Sequence, residues 1–159
     1  MSLQEAGAER PAIRATSKTS RALVLIVDDI AENRAVLGVC CEQFGLRYEA
    51  VASGREAVEC ARSGRFDLIL MDILMPGMDG VAATLAIRAL QGPSGAVPII
   101  AVTTAAERMD VLHYHACGMT DVVPKPIDVA RLMGSVSTAL AKARRLRRAN
   151  RQERAQLSA

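Results

Sequence analysis

The fold is decided by the stretch FDLILMDILMPGMDG, which occupies residues 66–80. Its first six residues are almost continuously apolar and bounded by turn formers, which predicts a short, fully buried β-strand over residues 66–71. Asp72 then stands at the carboxyl end of this strand. Open α/β sheets keep their ligand sites at the carboxyl ends of parallel strands, so Asp72 is the leading candidate for chemistry. On its own, a turn or helix-capping role explains such an Asp equally well.

The composition indicates one ordinary globular domain with an aliphatic core. Half of the residues are hydrophobic, whereas the chain has no Trp, two Tyr and two Phe. No apolar run is long enough to cross a bilayer and the N-terminus has no apolar signal region, so we expect a cytoplasmic protein with no membrane partner. The four cysteines lack metal-ligand spacing and are predicted to be reduced and partly buried: Cys40, Cys41, Cys60 and Cys117.

The net charge of +3 is unevenly distributed along the chain. Residues 142–159 carry seven basic side chains and one acidic one, and residues 1–21 carry four basic and two acidic. The part between them is therefore net acidic. The pI near 8.9 is a property of the two ends, so it does not indicate that the domain itself binds nucleic acid.

Predicted strands and helices alternate along the chain. Strands are predicted at residues 22–27, 47–52, 66–71, 96–102 and 121–123, and helices at 31–44, 53–64, 79–90, 105–117 and 127–140. This order implies an α/β protein whose parallel sheet is covered on both faces by right-handed crossovers. We assign the domain to residues 22–141, with a disordered segment at 1–21 and a basic tail at 142–159 whose helix formers could extend the last helix.

Periodicity and caps give more local predictions. The inner faces of the first and last helices are predicted to carry Val36, Leu37, Cys40 and Phe44, and Val129, Leu132, Met133, Val136 and Leu140, respectively. Ser53 and Glu56 have capping-box spacing, in which Ser53 caps the second helix and Glu56 reaches back. Residues 81–90 of the third helix are uncharged apart from Arg88, which indicates either a partner surface or simply an Ala-rich helix.

The carboxyl ends of the predicted strands gather acids, a hydroxyl and an ammonium group. The first strand ends at Asp28 and Asp29, the third at Asp72 and the fourth at Thr103, and the fifth leads to Lys125. Acids that share a pocket raise one another's pKa unless a cation lies among them, and carboxylates with a backbone carbonyl and waters suit Mg²⁺. An Asp beside Mg²⁺ and a Lys is suited to phosphoryl transfer onto a carboxylate.

These residues resemble the receiver domain of two-component response regulators over residues 22–140. The resemblance rests on four separated motifs in the right order: VDD at 27–29, MDILMPGMDG at 71–80, IIAVT at 99–103 and KP at 125–126. The run DDIAENR at 28–34 is most similar to receivers that belong to, or work with, hybrid histidine kinases. The resemblance implies a flavodoxin-like five-stranded parallel sheet of order 2-1-3-4-5 with five surrounding helices.

The resemblance also implies a function. Asp72 would accept a phosphoryl group from a histidine kinase or a histidine phosphotransfer protein. The chain would then be a phosphoacceptor in a phosphorelay, and no enzyme beyond phosphorylating itself from small phosphodonors and dephosphorylating itself. Output would pass to a downstream protein through a surface around the fourth helix, fifth strand and fifth helix. Whether the chain forms a homodimer is left open by the sequence.

Site roles follow from the same resemblance. Asp29 and the acceptor Asp72 would bind Mg²⁺ directly, the backbone carbonyl of Leu74 would be the third protein ligand, and Asp28 would act through water. Thr103 would hydrogen-bond the phosphoryl oxygen and Lys125 would pair with it: these residues complete the predicted site.

Four positions depart from the family pattern. Val122 stands where many members have a Tyr or Phe that reports the movement of the Thr, and Thr104 stands where Ala is more common and could restrict access to the acceptor. Leu74 and Ala105 occupy two variable positions that often hold polar side chains able to orient hydrolytic water. We therefore predict a comparatively long-lived phospho-aspartate.

Other functions need residues that this chain lacks or places differently. An aspartyl-phosphatase type of enzyme would use a second acid where Leu74 stands, and a nucleotide or flavin carrier needs a Gly-rich loop, whereas residues 28–33 contain no Gly. The alternative from another class is a degenerate receiver that acts as a phosphorylation-independent interaction module. Val122 and Thr104 favour that alternative, and the intact acids oppose it.

Two further features bear on partners. His113 and His115 fall on the fourth helix, where a solvated role is favoured over a phosphotransfer role. The basic stretch 142–154 is either a solvated tail or a docking segment for an acidic partner or nucleic acid. Nucleic acid is the less favoured partner, because stacking aromatics and a binding fold are absent.

Overall fold

The computed structural model describes residues 21–158, so the disorder predicted for residues 1–21 falls, apart from Arg21, outside the described residues. Strands and helices alternate in the described part of the chain as predicted. The strands are β1 Leu23–Val27, β2 Arg47–Val51, β3 Leu68–Met71, β4 Ile99–Thr103 and β5 Asp121–Pro124. The helices are α1 Ala31–Gln43, α2 Gly54–Arg62, α3 Gly80–Arg88, α4 Arg108–Ala116 and α5 Val129–Leu157, with a short 3-10 turn at Gly92–Ser94.

The five strands form one parallel sheet in the order β2-β1-β3-β4-β5, which confirms the predicted architecture. Val27 at the end of β1 is in register with Met71 at the end of β3, and Met71 is in register with Ala101 on β4. The carboxyl ends of the central strands therefore meet at one edge of the sheet. The residues that follow them, among them Asp28 and Asp72, are brought to the same place.

Each face of the sheet builds its own aliphatic core. Leu23, Leu25 and Val27 of β1 pack on the face covered by α2, α3 and α4, whereas Val24 and Ile26 pack on the face covered by α1 and α5. This division follows from the alternation of side chains along a strand. Both faces are covered by helices, so the three central strands β1, β3 and β4 are buried at every position, whereas the edge strand β2 is partly exposed.

The helix caps follow the sequence closely. Ser53 Oγ accepts a hydrogen bond of 3.2 Å from the backbone N–H of Glu56, so the predicted cap of α2 is confirmed. Glu56 reaches back as predicted, although it accepts its bond of 3.1 Å from the N–H of Ala52, one residue before the cap. Asp79 caps α3 in the same way, by accepting from the N–H of Ala82.

The predicted inner faces of α1 and α5 are wrong in part. Val36 and Phe44 are each 51% exposed, and Val129 is 40% exposed. The inner face of α1 instead includes Gly38, where an added Cβ would lie 2.7 Å from the ring of Tyr48. A side chain at position 38 would require the ring of Tyr48 to shift, so glycine suits this close approach of α1 and β2. The other side chains predicted to face inward from these helices are buried: Leu37, Cys40, Leu132, Met133, Val136 and Leu140.

Helix α4 begins at Arg108, three residues later than predicted. Glu107 and Asp110 form a reciprocal capping box that starts the helix there. Residues 104–107 are consequently a loop between β4 and α4, and the residue after Thr103 is free of helical hydrogen bonding.

Arg88 is a structural residue and not part of an exposed surface. Its guanidinium is half-buried and donates four hydrogen bonds to three backbone carbonyls, those of Gly95, Val97 and Gly118, at 2.8–3.0 Å. Burial lowers the pKa of Arg88. The side chain thus joins α3 to the loops before β4 and β5, and this role explains the lone charge in that helix better than a partner surface does.

Helix α5 continues through the basic stretch to Leu157. Arg147 in this extension lies 3.0 Å from Asp67, which also accepts a hydrogen bond from the N–H of Leu23. A cleft of about 620 Å³ separates the extension from the loops at the amino ends of the strands, so it lies at the opposite end of the sheet from Asp72. Within residues 21–158, none of the helices has the length and apolar character that a membrane span requires.

Candidate functional site

The turn after β3 fixes the position of Asp72. The backbone N–H of Asp72 continues the sheet by donating to the carbonyl of Val27 at 2.8 Å, and the N–H of Gly80 closes the turn on the carbonyl of Ile73 at 2.9 Å. A Cβ on Gly80 would lie 2.2 Å from the carbonyl oxygen of Asp72. Glycine is therefore required at position 80, because two stretches of backbone touch there.

Lys125 binds two of the acids. Its Nζ donates to Asp28 Oδ2 at 2.8 Å and lies 3.5 Å from Asp72 Oδ2. The other oxygen of Asp28 accepts bonds from the backbone N–H of Ile30 at 2.9 Å and from Asn33 Nδ2 at 3.1 Å. Both oxygens of the fully buried Asp28 carboxylate are thus occupied, and its acceptor capacity is largely used.

Asp29 completes a three-carboxylate cluster. Oxygens of Asp28, Asp29 and Asp72 lie within 4.8 Å of one another. Asp29 Oδ1 is buried, and no group among residues 21–158 donates a hydrogen bond to it. A buried carboxylate oxygen without a donor is costly unless a cation binds it. Three carboxylates and one ammonium leave two net negative charges, so the cluster fits a divalent cation with oxygen ligands, such as Mg²⁺.

The pKa of Asp72 is raised above its usual value. Burial of the carboxyl is the largest cause, the positive charge of Lys125 opposes it, and the negative charge of Asp28 adds to it. Without a cation the pocket therefore disfavours the ionised form of Asp72. A divalent ion among the acids would act in the opposite direction and favour the carboxylate.

Thr103 and Leu74, the remaining predicted site residues, lie in different environments. Thr103 is fully buried at the end of β4, and its Oγ1 accepts a hydrogen bond of 3.1 Å from the N–H of Ala105. Its carbonyl accepts a bond of 2.9 Å from the N–H of Lys125, which links the ends of β4 and β5. The side chain of Leu74 is 61% exposed, and Thr104 is also exposed.

The structure thus brings the predicted Asp28, Asp29, Asp72 and Lys125 into one cluster and places Thr103 at the end of the adjacent strand. Sequence reasoning missed Asn33, which donates to Asp28 from the first turn of α1. The sequence feature that could have indicated this bond is the position of Asn33, five residues after Asp28 at the end of β1. The two histidines of α4 are exposed, and the four cysteines are free, two of them buried.

Comparison with known proteins assigns the family. Residues 24–137 match the sequence model of the response regulator receiver domain. The chain therefore belongs to the response regulator receiver domain family. Receiver domains are the phosphoacceptor modules of two-component systems, and the recognition made from the separated motifs is confirmed.

Three relatives illustrate the similarity. Sensor protein GacS of Pseudomonas syringae pv. syringae is 39% identical over 111 residues, which are 69% of this chain but only 12% of that protein. Protein PilH of Pseudomonas aeruginosa is 32% identical, over 76% of this chain and 98% of its own length. The receiver domain of a sensor histidine kinase from Pseudomonas aeruginosa, solved with a magnesium ion coordinated in its active-site cleft, is 35% identical with a TM-score of 0.70, over 77% of this chain and 99% of that one.

Proposed function

We propose that Asp72 accepts a phosphoryl group from a histidine kinase or a histidine phosphotransfer protein in a Mg²⁺-dependent reaction, and that the chain relays or signals through protein contacts. The observation that carries this proposal is the cluster of three carboxylates around Lys125, with a buried oxygen of Asp29 that lacks a donor. Burying so many charges in one place destabilises the folded protein. A bound cation would be coordinated by the carboxylate oxygens, and a phosphoryl group would accept a contact from the Lys125 ammonium.

Asp72 is the proposed nucleophile because it occupies the acceptor position of the MDILMPGMDG motif and because its carboxylate is less committed than that of Asp28. Asp28 accepts bonds from three side-chain or backbone donors, whereas Asp72 has Lys125 at 3.5 Å. In the reaction an oxygen of Asp72 forms a bond to phosphorus while the P–N bond of the phosphohistidine breaks. The imidazole nitrogen of the donor keeps the electron pair of that bond, and an acyl phosphate is left on Asp72.

Asp29 and Asp72, with the carbonyl of Leu74, are the proposed direct ligands of Mg²⁺, and Asp28 would act through water. When bound, the ion would neutralise the phosphoryl oxygens and the surrounding acids. Asp28 has a second role, since it holds the Lys125 ammonium 2.8 Å from its own oxygen and within reach of Asp72. Lys125 would move its contact to the phosphoryl oxygen, and the Thr103 hydroxyl would donate to another oxygen of the same group.

Intact mass spectrometry after incubation with Mg²⁺ and acetyl phosphate tests this function. We expect the wild-type chain to gain one phosphoryl group and Asp72→Asn or a chelator-treated sample to gain none. Asp29→Asn should need more Mg²⁺ for the same gain, because it removes charge from the proposed ion site and leaves the nucleophile in place. Asp67→Asn, at the opposite end of the sheet, is a control for loss of an acid in general.

A wild-type chain that gains no phosphoryl group would contradict the proposal. Thr104→Ala then separates two explanations, because a gain in this variant would show a site blocked by Thr104. No gain in either chain would favour a phosphorylation-independent interaction module, the alternative that the non-aromatic Val122 keeps open.

A further inference from the structure

Both polar groups of Ala105, in the loop between β4 and α4, are held by side chains. Its N–H donates to Thr103 Oγ1 at 3.1 Å, and its carbonyl accepts a hydrogen bond of 3.0 Å from the hydroxyl of Tyr114. Thr103 is fully buried and Tyr114 is 4% exposed, so each bond has one partner that is shielded from water, whereas Ala105 is itself partly exposed. A buried hydroxyl that loses its hydrogen-bond partner is costly, which favours keeping both bonds.

Tyr114 is the one buried side chain of α4. Its ring lies in the same hydrophobic cluster as Val122 and Met119, on the face of the sheet covered by α2, α3 and α4. Burial raises the pKa of Tyr114, and the negative charges of Asp110, Asp72 and Asp79 raise it further. The phenol is therefore a neutral donor at physiological pH, and it lies within electrostatic range of Asp72.

The bond to Ala105 determines what the Thr103 hydroxyl can do. A threonine hydroxyl has one proton to donate and two lone pairs that accept. The N–H of Ala105 occupies a lone pair, which leaves the proton to turn toward another oxygen. If the peptide group of Ala105 rotated, its N–H would no longer bind Thr103 Oγ1, and the orientation of the Thr103 hydroxyl would no longer be fixed.

We propose that Tyr114 is a positioning residue for phosphorylation: its hydroxyl holds Ala105, so that Ala105 in turn orients the Thr103 hydroxyl toward the phosphoryl group on Asp72. This inference rests on the proposed function of Asp72 and Thr103. It also makes α4 sensitive to the occupancy of the site, because Tyr114 attaches that helix to the loop. Coupling of this kind is reciprocal. If the bond from Tyr114 to Ala105 stabilises the phosphorylated site, phosphorylation of Asp72 must in turn stabilise that bond.

A double-mutant cycle with Tyr114→Phe and Thr103→Val tests the inference. Both changes remove a hydroxyl and keep the shape of a buried side chain. The probe is beryllofluoride with Mg²⁺, a phosphoryl mimic that binds aspartate, and its affinity is measured by titration calorimetry. We expect Tyr114→Phe to weaken binding about two- to tenfold, the range of one hydrogen bond, and Tyr48→Phe, at an exposed phenol, to leave it unchanged.

The double mutant distinguishes positioning from general loss of structure. If Tyr114 acts through Thr103, Tyr114→Phe has no further effect in the Thr103→Val background. The inference would be overturned if the two substitutions weakened beryllofluoride binding by factors that multiply in the double mutant, or if Tyr114→Phe bound beryllofluoride like wild type. Either result would leave the proposed function intact. A wild-type chain that binds no beryllofluoride would instead overturn the proposed function, and the inference with it.

A spectroscopic measurement gives an independent test. The chain has two tyrosines and no tryptophan, so Tyr114 is the only source of tyrosine fluorescence in a Tyr48→Phe chain. We expect saturating beryllofluoride to change this fluorescence when Thr103 is present and not when it is Val. An equal response in both chains, or none in either, would contradict the coupling.

Discussion

Replacement of Lys125 by Met removes the cation of the acid cluster and should destabilise the metal-free protein. The ammonium lies 2.8 Å from Asp28 and 3.5 Å from Asp72, and its side chain is 14% exposed. Removing one partner of a buried ion pair costs about 3–5 kcal/mol. Here Asp28 keeps two other donors and Asp72 can take up a proton, so we expect a loss of roughly 2–3 kcal/mol at neutral pH.

The loss should depend on pH with a definite sign. Burial raises the pKa of Asp72 and Lys125 lowers it, so without Lys125 the pKa of Asp72 moves further above that of an unfolded Asp. Stability then falls as the pH rises from the unfolded pKa through the folded one, because the folded state must give up a proton that it prefers to keep. The deficit of the variant is therefore smallest below about pH 4 and largest at neutral pH.

Urea denaturation in a chelator, at several pH values, measures this effect. Lys142→Met is the matched control, since Lys142 is an exposed lysine on α5. Adding Mg²⁺ should restore more stability to Lys125→Met than to wild type, because the ion replaces the missing positive charge among the acids. The reasoning is refuted if Lys125→Met is no less stable than Lys142→Met, or if its deficit is the same at every pH.

Three further predictions concern the turn, the buried arginine and the phosphoryl lifetime. Gly80→Ala should lower the free energy of unfolding in urea by about 3 kcal/mol, because its Cβ would lie 2.2 Å from the carbonyl oxygen of Asp72. Gly134→Ala, at an open helical position, is the control and should stabilise the protein. Equal stabilities of the two variants would count against the close approach at Gly80. Arg88→Met should cost roughly 3 kcal/mol, since it leaves three carbonyls without their donor, and a negligible loss would show that water replaces them. Leu74→Asn should shorten the phospho-aspartate half-life by roughly tenfold, measured by the decay of intact mass, because an exposed amide there can orient water; an unchanged half-life would argue against this role of position 74.

Most of the fold could be predicted because the central strands are short apolar runs bounded by turn-forming residues. Runs such as residues 22–27 are apolar at every position, which in so short a segment is typical of a strand covered on both faces. The predicted inner face of α1 failed at Val36 and Phe44, because apolar residues occur on both sides of that helix. Gly38 is buried close to the ring of Tyr48 from the neighbouring strand, and the apolar periodicity gives no signal for this contact.

The site could be predicted as a set of residues, but its internal connections could not. The position of each acid at a strand end follows from local pattern, and their convergence follows from the parallel sheet. The bonds from Tyr114 to Ala105 and from Arg88 to Gly118 join residues from different elements or loops. No periodicity or cap signals such contacts, so they became visible only in three dimensions.

The central claim is that Asp72, and no other acid of the cluster, carries the phosphoryl group. Borohydride reduces an aspartyl phosphate to homoserine, so peptide mapping of the treated, phosphorylated chain identifies the modified position. We predict homoserine at position 72 alone, and none when Mg²⁺ is withheld. Homoserine at position 28 or 29, or at an acid outside the cluster, would contradict the account.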